Sequence, residues 1–581
     1  MVLKPMNLFR VFRLSPGGDM RSYLLFSLAF LLAACSSEKP TMSKFPPQEN
    51  NRGTELVDEE NLAQNFDPNW YVGSPEVDGV EGTNADRAIS EFALTHKNEV
   101  IVAVLDSGVD INHEDLQGKI WTNPGESGLD ENGVDKASNG IDDDGNGYID
   151  DVHGWNYLGN ADGVNIDADS LEVTRELVRY EARISRGEVL DDWEVAYLEK
   201  VKAEYEEGYG SAKEALDKYA PIKEEKDQAK QLLVDRLGQE DFSLQALQAI
   251  QSDDEEVAEA VESLVGILQS FGSLARIDRI FDYYNSSVQY YFNKDFNPRA
   301  DIIGDDESDF TQIGYGNNDV TGPDSSHGTH VAGIIAANRN NGIGVRGIAE
   351  NVKIMALRMV PNGDEHDKDV ALAVRYAADM GAKVINMSFG KGYSPFKSEV
   401  DKAFQYAAEK GVLIVHAAGN DSKNNDQSPS YPNRSLREIA NVPLAQLNIS
   451  NWVDVGASAA TKGLDLVASF SNYGKTVDIF SPGYQIISTT PGNSYDVYNG
   501  TSMASPAFAG VAALLLSNFK GMTGEQVKAI LLDQARLYEG LKVRQPGAST
   551  YDLPVPFASL SNTGGVVDAY KAVSLAYELL D

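Results

Sequence analysis

Three short segments of this 581-residue chain carry side chains that together do nucleophilic chemistry. One reads Gly500-Thr501-Ser502-Met503-Ala504-Ser505-Pro506, with a run of Ala, Val and Leu after it that predicts a helix from 504 to about 517. A serine at a helix N-terminus faces unpaired N–H groups and the positive end of the helix dipole, and both favour a developing oxyanion. The others read Val104-Leu105-Asp106-Ser107-Gly108 and His327-Gly328-Thr329-His330-Val331-Ala332-Gly333. A serine hydroxyl attacks a carbonyl only if a base takes its proton. Histidine serves because its pKa lies near working pH, and a carboxylate fixes its tautomer and stabilises the imidazolium. Asp106, His327 and Ser502 are thus the candidate orienting group, base and nucleophile, with His330 the rival base. The His-x-x-His pair lacks the Glu and the spacing of a His-Glu-x-x-His zinc site, so metal chemistry there is the weaker alternative.

The chain order Asp, His, Ser and the residues around each motif resemble the subtilisin-like serine proteases. The resemblance implies an α/β, three-layer fold with a mainly parallel sheet. It also implies a serine endopeptidase, a hydrolase cleaving peptide bonds in proteins or peptides through an acyl-enzyme on Ser502. His327 is then catalytic and His330 structural. Asn420, closing Ala417-Ala418-Gly419-Asn420, is expected to share the oxyanion with the Ser502 N–H. Asn386-Met387-Ser388-Phe389-Gly390 resembles the strand that pairs with substrate backbone. Ser388, Phe389 and Gly390 would flank the first specificity pocket opposite Ala417 and Gly419, with Ser430 at its floor; no charge lies there, so no strong preference for Lys or Arg is expected. His416 stands where the family usually has a small apolar residue, and a packed, satisfied histidine is expected. Calcium is the implied structural cofactor, held by Asp115 and by Asn341, Ile343 and Val345, partly through carbonyl oxygens.

The elements that must position these residues are legible as alternation. Apolar runs at 100–105, 352–358, 383–387, 412–417 and 452–457 read as strands, and 370–380 and 399–410 as helices. Near-continuous apolar strands between helices imply a parallel sheet covered on both faces, with its site beyond the C-terminal strand ends. Asp106, Ser388 and Asn420 all fall just after strands. More than two hundred residues separate Asp106 from His327, where the family has a few dozen. Residues 121–160 read as an ordered Gly/Asn/Asp-rich loop. Within it, Asp142, Asp144 and Asn146 are spaced like the first half of an EF-hand, a second candidate calcium site, with Tyr148 and Ile149 as anchors. Residues 170–296 read as helical, with capping boxes at Asp191/Glu194 and Ser252/Glu255 and an apolar stripe Val257, Val261, Leu264, Val265, Leu268. The expected organisation is a catalytic domain of residues 66–160 and 297–581, interrupted by a helical insertion at 161–296 that stands off and is separable. Two rivals are a binding scaffold on an inactive protease fold and an insertion that docks a partner with the protease as effector.

Composition sets the outer bounds. A net charge of −39 leaves no basic face for nucleic acid. Arg21 precedes an apolar stretch at 23–34 of signal-peptide length, which ends Leu32-Ala33-Ala34-Cys35 like a bacterial lipobox. Residues 1–34 are expected to be a signal peptide, Cys35 the lipidation site and 35–65 a tether too short for a folded propeptide. The expected location is the cell envelope, lipid-anchored to a bacterial outer membrane, its partners being substrates and the membrane. Cys35 is the only cysteine, so no disulfide is available. Oligomeric state is not legible.

Overall fold

Alternating burial along the first strand sets the layers. In β1 (Val100–Asp106), Val100, Val102 and Val104 enter one apolar cluster while Ala103 and Leu105 enter another, as a period of two requires. The computed structural model describes residues 67–95, 97–436 and 448–580, and the candidate signal peptide, Cys35 and the tether lie outside them. Among the described residues, the main sheet also contains β2 (Gly154–Asn156), β3 (Val352–Arg358), β4 (Val384–Met387), β5 (Leu413–Ala417), β6 (Trp452–Ser458) and β7 (Ile479–Pro482). A hairpin, β8 (Ile486–Thr490) and β9 (Ser494–Tyr498), lies outside it, and β10 (Arg536–Leu537) and β11 (Gly565–Val566) extend its edge. The order is β10-β11-β7-β6-β5-β4-β1-β3-β2, parallel except for β10. The predicted strands are all present, and the sheet gains the three-residue β2 from within the presumed loop.

Helices cover both faces. After a short α1 (Ala85–Glu91) come the five helices of the long segment: α2 (Glu172–Ser185), α3 (Asp192–Leu237), α4 (Leu244–Ala249), α5 (Glu255–Phe271) and α6 (Leu274–Ser286). Then follow α7 (Ser326–Ala336), α8 (Asp367–Asp379), α9 (Lys397–Glu409), α10 (Thr501–Asn518), α11 (Gly524–Asp533) and α12 (Ala569–Leu580). Residues of α7, α10 and α12 pack on the first face, and those of α8 and α9 on the second. Every residue of α10 but Asn518 is buried, which is why its sequence is apolar all round. This helix starts at Thr501, three residues before the sequence suggests, so Ser502 lies inside its first turn.

The long segment is rooted rather than standing off. Its 46-residue α3, about 69 Å long at 1.5 Å per residue, carries two separate clusters. The distal one joins Ala229 and Leu233 to Leu247, Val257, Ala260 and Leu264, with Val261, Val265 and Leu268 against it, so the predicted stripe is its core. The proximal one joins Val173, Leu177, Val201, Ala212 and Phe292 to Tyr393, which belongs to the loop after β4. The capping box at Asp191/Glu194 forms. The one at Ser252/Glu255 does not, because Asp254 caps the helix by accepting the Glu256 N–H while Ser252 accepts that of Asp254.

Candidate active site

Three neighbouring strands, β5, β4 and β1, end at one edge of the sheet, and two helices begin there. Asp106 is the last residue of β1 and 1% exposed. Its Oδ1 accepts the Ser107 N–H at 2.7 Å and the Nδ1–H of His327 at 2.7 Å. With Nδ1 protonated against a carboxylate, the lone pair falls on Nε2, which is buried and has no hydrogen-bond partner among the described residues. His327 is the second residue of α7. Gly328 permits the approach, since a methyl there would run into the Gly108 carbonyl and the Asp106 Cβ.

His330, one turn on, is committed elsewhere. Its Nε2 lies 3.1 Å from the carbonyl oxygens of both Ile486 and Asp496, and its ring stacks on Tyr498 at 4.3 Å. Burial, with His327 nearby, pushes its pKa down to about 3. It is a neutral donor that ties α7 to the β8–β9 hairpin.

Ser502 is the second residue of α10 and 6% exposed. Its hydroxyl donates to the Ser388 carbonyl at 3.2 Å, and the Ser388 hydroxyl donates to the Ser502 carbonyl at 3.0 Å. Asn386 completes the lacing, its Nδ2 donating to Ser388 Oγ at 3.0 Å and its Oδ1 accepting from Ser505 Oγ at 2.7 Å. Asn420 accepts from both the backbone N–H and the hydroxyl of Thr501, at 2.8 and 2.9 Å, through Oδ1. That leaves its Nδ2 directed past Gly500. A methyl built on Gly500 would lie 3.4 Å from the Ser502 nitrogen and 3.6 Å from Asn420 Nδ2, so two N–H donors converge on one small volume beside the Ser502 Cβ.

The residues expected to form the pocket lie on and after β4 and β5. Ser388, Phe389 and Gly390 leave β4, and the next residue, Lys391, exchanges backbone bonds of 2.8 and 2.9 Å with Tyr431. Ser430, half-buried, accepts from Asn433 Nδ2 at 2.9 Å through its carbonyl. Ala417 ends β5; Gly419, at φ 103°, closes on Asn472, whose Oδ1 accepts the N–H groups of Asp421 and Lys423. His416 lies beneath the pocket. Its Nδ1 sits 2.8 Å from Asp454 and its Nε2 3.0 Å from the Phe389 carbonyl. Burial raises the Asp454 pKa, but Arg434 and His416 outweigh it and hold the carboxyl at about 2. Sequence reasoning passed over Asn386, Thr501, Asp454 and Asn472. Asn386 had a signal, a polar side chain inside an apolar strand.

Lys391 joins this edge to α2. Only 4% exposed, its Nζ bonds to Glu172 Oε2 at 2.8 Å, Asp367 Oδ1 at 2.8 Å and the Glu365 carbonyl at 2.7 Å. Glu172, the first residue of α2, is also paired with Arg175 at 2.7 Å, and its N–H donates to Asp364 Oδ2 at 2.8 Å. Burial pushes the neighbouring Glu365 carboxyl up to about 8, with Lys391 opposing and Asp364 adding.

The two candidate cation sites differ. Asp115 is fully buried, with Asn341 Nδ2 on Oδ1 at 2.7 Å and the Val345 N–H on Oδ2 at 2.9 Å; the Asn341 Oδ1 accepts from the Ile343 N–H at 3.1 Å. The four residues are together, and a buried carboxylate, an amide and loop carbonyls suit a hard cation. In the acidic loop, Asp142 and Asp144 group with Glu126. The Asn146 amide serves Asp151 and Asp144 through Nδ2 and the Tyr148 N–H through Oδ1. Tyr148 is buried as an anchor; Ile149 is 50% exposed and is not.

The chain is similar to known proteins over most of its described length. The model described as the subtilase family matches residues 97–550. A thermophilic serine proteinase of Bacillus sp. (strain AK1) is 42% identical over 194 residues, 33% of this chain and 43% of that protein. Thermitase of Thermoactinomyces vulgaris is 36% identical over 250 residues, 43% of this chain and 75% of thermitase. The crystal structure of a cold-adapted subtilisin-like serine proteinase aligns with 31% identity over 42% of this chain and 80% of that one, at a TM-score of 0.32. The chain thus spans less than half the length of the first of these relatives.

Proposed function

Since the chain belongs to the subtilase family, we propose that it is a serine endopeptidase that cleaves peptide bonds in proteins through an acyl-enzyme. The observation that carries this is the buried Asp106–His327 bond of 2.7 Å, with a bare Nε2, at the edge where Ser502 begins α10. Substrate backbone adds as a strand beside Ser388–Gly390, and its N–H takes the Ser388 carbonyl. That is the oxygen on which the Ser502 hydroxyl now rests, so substrate releases the hydroxyl to turn toward His327 Nε2. The base takes the proton as Oγ bonds to the carbonyl carbon, and Asp106 stabilises the imidazolium. Asn420 Nδ2 and the Ser502 N–H receive the oxyanion. Collapse passes the proton to the leaving amine, and water repeats the sequence on the ester. Calcium, held by Asp115, Asn341, Ile343 and Val345, would stiffen the loop after α7 and takes no part in these steps.

The test uses casein hydrolysis and fluorophosphonate labelling. Ser502→Ala and His327→Ala should each lose activity by several orders of magnitude, because nucleophile and base act as a unit. His330→Ala should act through stability. Substantial hydrolysis or labelling in Ser502→Ala would overturn the triad, and a parent that neither hydrolyses casein nor takes the label would favour the inactive scaffold. We also propose that the protein is anchored to the cell envelope by lipid on Cys35, a reading supported by the Leu32-Ala33-Ala34-Cys35 sequence. Among the described residues no helix is long and apolar enough to cross a membrane.

A further inference from the structure

We propose that the loop beyond β1 holds a divalent cation through three carboxylates, Glu126, Asp142 and Asp144, and that Glu126 is its indispensable ligand. The inference deepens the calcium reading above but concerns different residues. One oxygen from each of the three lies within 4.8 Å of the others. Acidic clusters on a surface mean little alone, because water screens them. Glu126 is different: it is fully buried, and its Oε2 has no hydrogen-bond partner among the described residues. Its Oε1 accepts the N–H groups of Asp143 and Asp144, at 2.7 and 3.1 Å, so the carboxylate is pinned against the cluster and cannot swing to water.

The partners of the other two leave the charge uncompensated. Asp142 accepts only backbone N–H groups, from Gly145 and Asn146 on Oδ1 and from Gly147 on Oδ2, at 2.8–3.1 Å. Asp144 accepts the Asn146 N–H at 3.0 Å on Oδ1 and neutral amides, Asn123 Nδ2 at 3.0 Å and Asn146 Nδ2 at 3.3 Å, on Oδ2. The nearby ammonium, Lys136, lies 3.8 Å from Asp143 and bonds to the Gly125 carbonyl, so it neutralises a neighbour and not the trio. Each carboxylate oxygen that accepts one N–H keeps a second lone pair. Three carboxylates, one of them with a buried orphan oxygen, present the hard oxygen ligands that calcium takes. The third carboxylate comes from sixteen residues upstream of Asp142, which staples two turns together.

The experiment titrates metal-stripped full-length protein, with Ser502→Ala to prevent autolysis, with calcium chloride in a calorimeter and follows the melting temperature. The parent should bind two calcium ions. Glu126→Gln should lose one, or bind it at least about tenfold more weakly, with a smaller calcium-dependent rise in melting temperature; Asp142→Asn, on a partly exposed residue, should do the same. Asp115→Asn should lose the other. If only Asp115→Asn changes the titration, the present inference fails and the general calcium reading survives. If the parent binds no calcium, both fail.

Discussion

His416 is expected to influence substrate binding without touching substrate. Its Nε2 lies 3.0 Å from the carbonyl of Phe389, in the middle of the Ser388–Gly390 segment. One such bond contributes about 1 kcal/mol, which is roughly fivefold in an equilibrium constant. His416→Ala should therefore raise KM for a tetrapeptide p-nitroanilide about fivefold while kcat stays near the parent's. His416→Gln, which keeps a donor at similar reach, should restore most of it. Equal losses in kcat from both variants would show only a structural role. The triad was legible because each reactive residue sits in a short, distinctive string. His416 was singled out but its work was not, because its partners are 27 and 38 residues away in sequence.

Strands buried on both faces announce themselves as unbroken apolar runs, so five strands of the sheet were readable to within a residue or so. The three residues of β2 are too few to show a period. Local caps were readable only where one donor geometry was available; at 252–255 Ser252 and Asp254 compete and the second wins. The rooting of α2 was not readable at all, since Glu172 and Lys391 are 219 residues apart. It reverses an expectation. Deleting residues 170–296 strips Glu172 and Arg175, takes from Lys391 one of its two carboxylates, leaving Asp367, and removes Val173 and Leu177 from the cluster around Tyr393. Excising only residues 224–277, between Lys223 and Asp278, whose Nζ and Oδ1 lie 3.8 Å apart, with a short Gly/Ser bridge, removes the distal cluster. The short excision should fold and cleave small peptides like the parent, and the long one should melt many degrees lower or not accumulate; equal melting curves would show the root to be dispensable. The same junction should titrate. The Glu365 carboxyl is protonated in the fold up to about pH 8 but ionises near 4.3 when unfolded, so the unfolded state binds fewer protons between those values and stability falls as pH rises. Glu365→Gln should flatten that fall in denaturant midpoints measured from pH 4.5 to 8.5; an unchanged slope would mean that the carboxyl is ionised in the native state.

At the scale of the whole chain, 88 acidic against 49 basic residues and a single cysteine leave packing and ion pairs, rather than disulfides, to hold the fold. If Cys35 carries the lipid, Cys35→Ser should move the protein from the membrane to the soluble fraction and abolish incorporation of radiolabelled palmitate. Retained label would remove the anchor. The ammonium shared by the cleft edge and the first insertion helix also has a historical consequence. Neither half depends wholly on the other: without Glu172 the lysine keeps Asp367 at 2.8 Å, and without Lys391 the glutamate keeps Arg175 at 2.7 Å. Either could therefore have been acquired first. Lineages of this family without the inserted helices can thus carry a lysine at this position where a carboxylate stands at that of Asp367, and the inserted helix adds a second carboxylate to a cation already paired.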